Sequence, residues 1–575
     1  AYAGHATTSG HSNVFISRDA GLYNTTGLYN IAVGVSALRT NVAGNRNTAV
    51  GHDALYHMAA AGNEDTNNTA VGMYAGRAMT SGRNNSIVGA HAGDAITSGS
   101  HNALFGMHAG GALTTGSYNV GIGNYSMNEA TTGNFNHAFG YQALNKLSTG
   151  TNNISMGYQS GYYGFGSSHN VFIGHQAGQG DTDSGSPSKH NNVYIGYTAG
   201  QKSRTTSDNV GIGKEALWTN QGGAGNIAIG NTALRTTNGS RNTAIGHQAL
   251  YNFTGSDTVA VGREALKNCT TGATNTAVGY SAGTTLTTGQ NNVFMGYLTG
   301  YAHTTATSNV GIGALALRST TTGSSNTAVG FNAGYNFTGG AGNTTMGSYA
   351  GFGNNGSNNT FIGKESGYYI TGSHNTILGA YTGNQDGLDI RTASNNVVIT
   401  DGQGNVKLHI DASDDAHFRG NVHTTQLSME NTTGQDIEVF LSGTGTSAFN
   451  IRQPGSSAHF SLSSTGALTI GGSLTQNSDI NIKDNIEVIS DSLNKVSLLS
   501  GSTYTRTDEG QDPTKVHAGL IAQDVELALP EAVGETEEGI KTVDYSAVVA
   551  LLVESVKSLT TEVNNLKQEI TELKK

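Results

Sequence analysis

The chain has 575 residues, of which 82 are Gly, 4 Pro, 1 Cys and 1 Trp, and only 12% are charged. A net charge of -11 removes the basic footprint of a nucleic-acid binder, and the single Cys269 excludes an intrachain disulfide framework. No apolar run reaches membrane-spanning length. No secretory signal opens the chain, and its first residues fall inside a repeat, so an upstream segment is expected.

That repeat is the first element. Asn recurs from Asn13 to Asn396, usually every 17 residues and sometimes every 16, with Thr258 holding one of its places. Three steps are longer: Asn47 to Asn68, Asn170 to Asn192, and Asn375 to Asn396. The unit reads N-T-A-V-G-x-x-A-L-x-x-x-T-T-G-S-x. Counted from the Asn, position 3 is apolar (Val33, Val50, Val88, Leu378), and position 4 is Gly except at Ser17 and Thr400. Position 7 is small (Ala37, Ala54), and position 8 is usually Leu or Gly (Leu38, Gly76).

A short β-branched segment suits a strand. Gly ends it at a backbone angle other residues resist, and T-T-G makes a second turn. So short a unit buries no core alone, so stacking is expected. The position 3 side chains would form a continuous core row, and the Asn residues a ladder. The expected shaft, over residues 1–384, is a parallel β-solenoid or β-roll, roughly 100 Å long at about 4.8 Å per rung. One row of Val and Ile is a thin core, and association of several chains would cover the remaining apolar surface. The repeat resembles the Asn-x-x-x-Gly coils in the heads of trimeric autotransporter adhesins, which implies three left-handed β-rolls packed together.

Chemistry in the repeats is sparse. A polysaccharide-cleaving site needs paired carboxylates, and no acidic pair recurs. Glu64 with Asp65, and Asp181 with Asp183, lie in lengthened steps, where solenoid insertions map to surface loops that often bind. Tyr162, Tyr163 and Phe165 cluster after Gly161, and Tyr368 with Tyr369 after Gly367. Such rings either stack on sugars, cover the shaft or fill an interface between chains. Glu64, Asp65, Asp181, Asp183, Tyr162, Tyr163 and Phe165 are the receptor-binding candidates. No metal or cofactor is expected.

Residues 385–477 are expected to form a β-rich stalk or small trimeric β-domain. Asn396–Ile410 reads as strand, D-G-Q-G-N turn, strand, and Ile437–Leu441 and Ala467–Leu474 as further short strands.

Charge and helical periodicity begin at Ser478. The stretch Ser478–Lys483 reads S-D-I-N-I-K, and a helix is expected around Ser490–Leu499. His517–Val533 reads H-A-G-L-I-A-Q-D-V-E-L-A-L-P-E-A-V, and Val543–Tyr545 V-D-Y. In the last helix Val549, Leu552, Val556, Leu559, Val563, Leu566, Ile570 and Leu573 alternate steps of three and four, a heptad seam. Val or Ile at a with Leu at d favours two strands in an isolated parallel coil.

Residues 478–575 resemble the intramolecular chaperone, or autoprocessing peptidase, domain that ends phage endosialidases, tail fibres and neck appendages. The resemblance implies a trimeric α+β module that guides folding of the preceding β-fibre and then cuts itself away. It makes Ser478 the nucleophile, Lys483 its general base, and Asn477–Ser478 the scissile bond. Asp479 would fix geometry, and Gln523 and Asp524 would support the fold. Asn481 stands where many members have Arg. The chemistry is sound, since a serine hydroxyl needs a neighbouring base to become nucleophilic.

The whole is then a mainly β homotrimeric phage tail fibre, part of the virion and made in the host cytoplasm. It would join the phage tail or baseplate to a host surface glycan or outer-membrane receptor, without inserting in a membrane. Its only catalysis would be self-cleavage. Equal rungs invite slips of register and long-range β assembly is slow, so a C-terminal trimeriser would set register, and its removal would trap the product. The alternatives are a capsule-degrading tailspike, which requires a carboxylate pair in a groove, and a bacterial surface adhesin, which requires secretion and an anchor.

Overall fold

A computed structural model describes residues 2–60, 62–181, 189–419, 449–451, 460–462, 468–470, 483–507, 514–536 and 539–575. The chain divides into two compact units, Ala1–His423 and Thr424–Lys575.

Unit 1 is a solenoid. Three-residue strands, from Val14–Ile16 to Thr376–Leu378, follow the repeat Asn one per coil, and the last coil contributes Val397–Thr400. They form one 25-stranded sheet, parallel and in register from coil to coil, as in Val14↔Ile31, Phe15↔Ala32 and Ile16↔Val33. Its last two strands are antiparallel. The expected turn pairs Val397–Thr400 with Val406–Ile410, and Ala416–Phe418 follows.

The Asn ladder is present. Asn85 Nδ2 and its backbone N–H both donate to Asn68 Oδ1, each at 3.0 Å, and Nδ2 also donates to the Gly99 carbonyl at 3.0 Å. The pattern repeats at Asn102, Asn119 and Asn136. Each buried amide is thus satisfied along the axis, where leaving it unpaired would be costly. Thr258 interrupts the series: its Oγ1 accepts from Asn275 N–H at 3.4 Å, and Asn275 Nδ2 donates instead to the Gly272 and Gly289 carbonyls.

Position 4 needs Gly for two reasons. Its φ is near +135° (Gly34), and a Cβ on Gly34 would lie 2.5 Å from the Gly51 carbonyl oxygen of the next coil. Positions 6 and 8 are also left-handed, as at Ser36 and Leu38.

The core differs from the expected single row. Position 3 faces outward: Phe105, Ile122, Met156 and Met295 are each about 40% exposed. The inward side chain is position 2, the middle of each strand, as in Ala32, Ile87, Leu104 and Phe172. Alternation dictates this, because successive strand residues point to opposite faces. Position 2 is read together with position 8. Ala32 faces Leu38, Ala49 faces Leu55 and Gly121 faces Met127, whereas Phe172, Tyr194, Phe294 and Phe361 accompany Gly178, Gly200, Gly300 and Gly367. A Cβ on Gly178 would lie 2.3 Å from Phe172 Cδ1. In these coils one large side chain fills the interior, supplied from either position, so packing density is kept along the axis.

In unit 2 the strands Phe449–Ile451, Phe460–Leu462 and Leu468–Ile470 form a small antiparallel sheet. The expected strand Ile437–Leu441 lies outside the described residues. The terminal module follows: α1 (Ser492–Ser497), a hairpin of Gly501–Thr505 with Val516–Leu520, α2 (Ala522–Ala528), a hairpin of Val533–Glu535 with Lys541–Val543, and α3 (Tyr545–Leu573).

Candidate functional site

The terminal module is built around a small core of Val525, Leu529, Ala532, Val548 and Leu551. The G-L-I-A-Q-D-V-E block runs from the second strand of the first hairpin into α2, whose Val525 and Ala528 face inward. Gln523 is exposed and Asp524 half-buried in the first turn of α2. The V-D-Y motif has a structural use. Asp544 caps α3 by accepting from Ser546 N–H at 2.8 Å and Ala547 N–H at 3.3 Å. The Tyr545 hydroxyl accepts from Leu520 N–H at 3.1 Å, tying α3 to the first hairpin. Lys541 donates to Glu526, joining the second hairpin to α2.

α3 has two apolar stripes. Val548, Leu551 and Ser555 are buried against the module, and Ser555 Oγ donates to the Ser492 carbonyl at 2.8 Å. The heptad residues form the other stripe and are open, with Val556 61% and Leu559 50% exposed. The helix thus packs on its own module by one stripe and leaves the second in solvent.

Of the residues expected to carry self-cleavage, Lys483 is exposed at the start of the described module. Asn477, Ser478 and Asp479 lie outside the described residues.

In the shaft the lengthened steps gather several candidates. Glu64 accepts from Arg83, and Asp65 pairs with Arg46 at 3.2 Å. Asp181 pairs with Arg204 at 2.9 Å, and Asp183 lies outside the described residues. The described acids are therefore matched to bases on other coils, which suits a solvated face better than acid–base chemistry. Tyr162 and Tyr163 meet edge to face at 4.5 Å, and Phe165 lies 6.4 Å from Tyr163. Tyr162 sits beside the Lys146–Glu129 pair, and burial raises its pKa. Gly180 brings the long step against this cluster, since a Cβ there would lie 3.0 Å from Tyr163 Cβ.

Sequence reasoning missed Lys189. It is fully buried, its Nζ donates to the Gly178 carbonyl at 2.8 Å, and burial lowers its pKa to about 7. It also missed the aromatic ladders. His91, His108 and Tyr125 stack at 4.9 and 5.1 Å, and His101, Tyr118 and Phe135 at 4.7 and 4.9 Å. Their signal was recurrence of aromatics at one place in successive units.

Residues 478–534 match the family described as chaperone of endosialidase. The chain is 40% identical over 98 residues to the long tail fiber protein Gp37 of Enterobacteria phage K3, covering 16% of this chain and 8% of that protein. It is 40% identical over 98 residues to the Gp37 of Enterobacteria phage T2, covering 16% and 7%. With the Gp37 of Salmonella phage S16 it shares 32% over 108 residues, 18% of this chain and 14% of that protein. The matched stretch is thus a small part of these relatives' length. Together with the solenoid, these likenesses support a phage tail fibre that ends in a chaperone. Among the described residues no helix is long and apolar enough to cross a membrane.

Proposed function

We propose that the chain is the host-attachment part of a homotrimeric tail fibre, assembled by its C-terminal module, which then cleaves the Asn477–Ser478 bond. The likeness to long tail fiber proteins supports attachment to the phage tail at one end and to a host surface receptor at the other. The observation that carries the trimer is the pair of open apolar surfaces. One is the outward sheet face, where position 3 is apolar in every coil and partly exposed, beside a position 1 that is mostly Val, Ile or Thr. The other is the free seam of α3. Contiguous apolar surface on this scale marks an interface, and a second and third copy, in register, present the same repeat to it.

Within the assembled module, Ser478 Oγ attacks the Asn477 carbonyl carbon and Lys483 Nζ takes its proton. That proton passes to the departing Ser478 nitrogen, and water hydrolyses the resulting ester. A lysine acts as a base in its neutral form, which burial favours. Lys483 is exposed in the single chain, so the activating burial comes from assembly.

The test compares the wild-type chain with Ser478→Ala on a denaturing gel. The wild type should yield a product ending at Asn477, and the variant should stay whole. An intact wild-type trimer would end the Ser–Lys assignment while leaving the chaperone role.

A further inference from the structure

Along the shaft many aromatic rings stack face to face from coil to coil, so that neighbours take up their faces even where their edges stay exposed. The row at position 9 shows this. Arg318 lies over Tyr301 at 5.8 Å and Tyr335 at 5.4 Å, Tyr335 stacks on Phe352 at 4.9 Å, and Phe352 on Tyr368 at 4.8 Å. The row stops at Tyr368, where the third lengthened step replaces the regular coil. There Tyr369 breaks the pattern. Its ring stands 64° to that of Tyr368 at 4.5 Å, edge to face rather than stacked, and the residue is 58% exposed.

Two shallow grooves flank this ring. One, of about 440 Å³, runs between Tyr369, Tyr349, Glu365 and Thr382. The other, of about 390 Å³, is bounded by Tyr369, Thr371, Asp389, Arg391 and Thr392. Both lie in the size range of small-ligand clefts. The far wall is held in place. Asn384–Gln385 pairs with Leu388–Asp389 around an Asp386–Gly387 turn in which both residues have positive φ. Beneath it the buried Tyr381 hydroxyl donates to the Gly383 carbonyl at 3.0 Å and the Leu388 carbonyl at 2.8 Å. Arg391 grips Asp389 through two bonds of 2.9 and 2.7 Å, presenting a planar array of donors and acceptors.

We propose that Tyr369 and the Asp389–Arg391 pair form a saccharide-binding site for an uncharged glycan, a reading that rests on the host-attachment function. An open tyrosine face packs against the C–H face of a pyranose. The ion pair and the hydroxyls of Thr371, Thr382 and Thr392 bond to its hydroxyl groups. Charge decides the class: Glu365 is matched by Lys364 at 3.3 Å and Asp389 by Arg391, so the site carries no net charge to select a sialic or uronic acid.

The experiment applies full-length wild type, Tyr369→Ala, Tyr369→Trp and Asp389→Ala to an array of neutral and anionic bacterial surface glycans. It also measures their adsorption to a panel of enterobacterial strains. Melting curves check that the exposed substitutions leave the fold intact. We expect neutral glycans to be bound, Tyr369→Ala and Asp389→Ala to weaken binding and adsorption at least ten-fold, and Tyr369→Trp to retain both. If the wild type adsorbs to cells and Tyr369→Ala is unchanged, or the array response is confined to acidic glycans, the site is overturned and attachment stands. If glycans bind through Tyr369 but no strain is adsorbed, the attachment reading fails and the site stands. Absence of both overturns both.

Discussion

The solenoid and the terminal module solve the same problem in opposite ways. Each solenoid coil has almost no interior of its own, yet its neighbours supply amide partners, a strand on either side and a ceiling for its one large side chain. Stability is nearest-neighbour and accumulates along the axis. The module has a handful of core residues, and α3 leaves its heptad stripe in solvent. A repeated structure can therefore close on itself along the chain, and what remains open is sideways. The module concentrates its open apolar surface in one helix, and in the proposed trimer that helix would bring three chains together before the long shaft must choose a register.

The sharpest break in that comparison is at the seam. Leu559→Asp combined with Leu566→Asp should abolish the trimer outright, read by light scattering after size exclusion. It should also leave the chain uncleaved on a denaturing gel, because Lys483 would keep its exposure. A cleaved monomer would separate processing from assembly.

The next largest effect lies inside the shaft. Burial lowers the pKa of His303 from 6.5 to about 3. Below pH 6.5 the unfolded chain takes up a proton that the folded one refuses. Stability should thus fall as pH drops through the window between these two values, by about 5 kcal/mol in total, and level off below pH 3. Melting curves of wild type and His303→Leu should diverge over that window and run parallel above it.

Gly262→Val tests the contact between coils. Its Cβ would lie 2.3 Å from the Gly279 carbonyl oxygen at a φ of +138°. A cost of about 3 kcal/mol or more is expected, visible as a lower melting temperature of the shaft with the C-terminal module intact. The smallest effects come from the ladder and have opposite signs. Asn119→Ala strands buried partners above and below and should cost about 2 kcal/mol, whereas Thr258→Asn restores the missing rung and should add about 1 kcal/mol. Calorimetry on the two variants checks both.

Much of this was legible. The fixed Asn and Gly announced the solenoid, because only a stacked coil requires one amide and one Cβ-free residue at the same place each time. The heptad residues announced the open seam. The facing of the strand was misread, because Val and Ile at position 3 carry a stronger hydrophobic signal than Ala at position 2. Apolar residues on both faces defeat a rule that equates hydrophobicity with burial. The exchange between positions 2 and 8, with Phe172 beside Gly178 and Ala32 beside Leu38, was the signal that marks the true interior. Lys189 was illegible, since nothing local to it foretells that its side chain is buried with Nζ on the Gly178 carbonyl. The Tyr369 grooves were half legible: the aromatic pair and the D-G turn stood in the sequence, but their meeting depends on where the row of rings ends.

The in-register ladder also bears on inheritance. Most coils offer the same amide, carbonyl and glycine to their neighbours, so such a coil could be deleted or duplicated without disturbing the joints on either side. Misaligned recombination between repeats in the gene then changes shaft length in whole coils. Shaft length becomes a trait that selection can adjust in small steps, while the C-terminal module passes unchanged to the descendants.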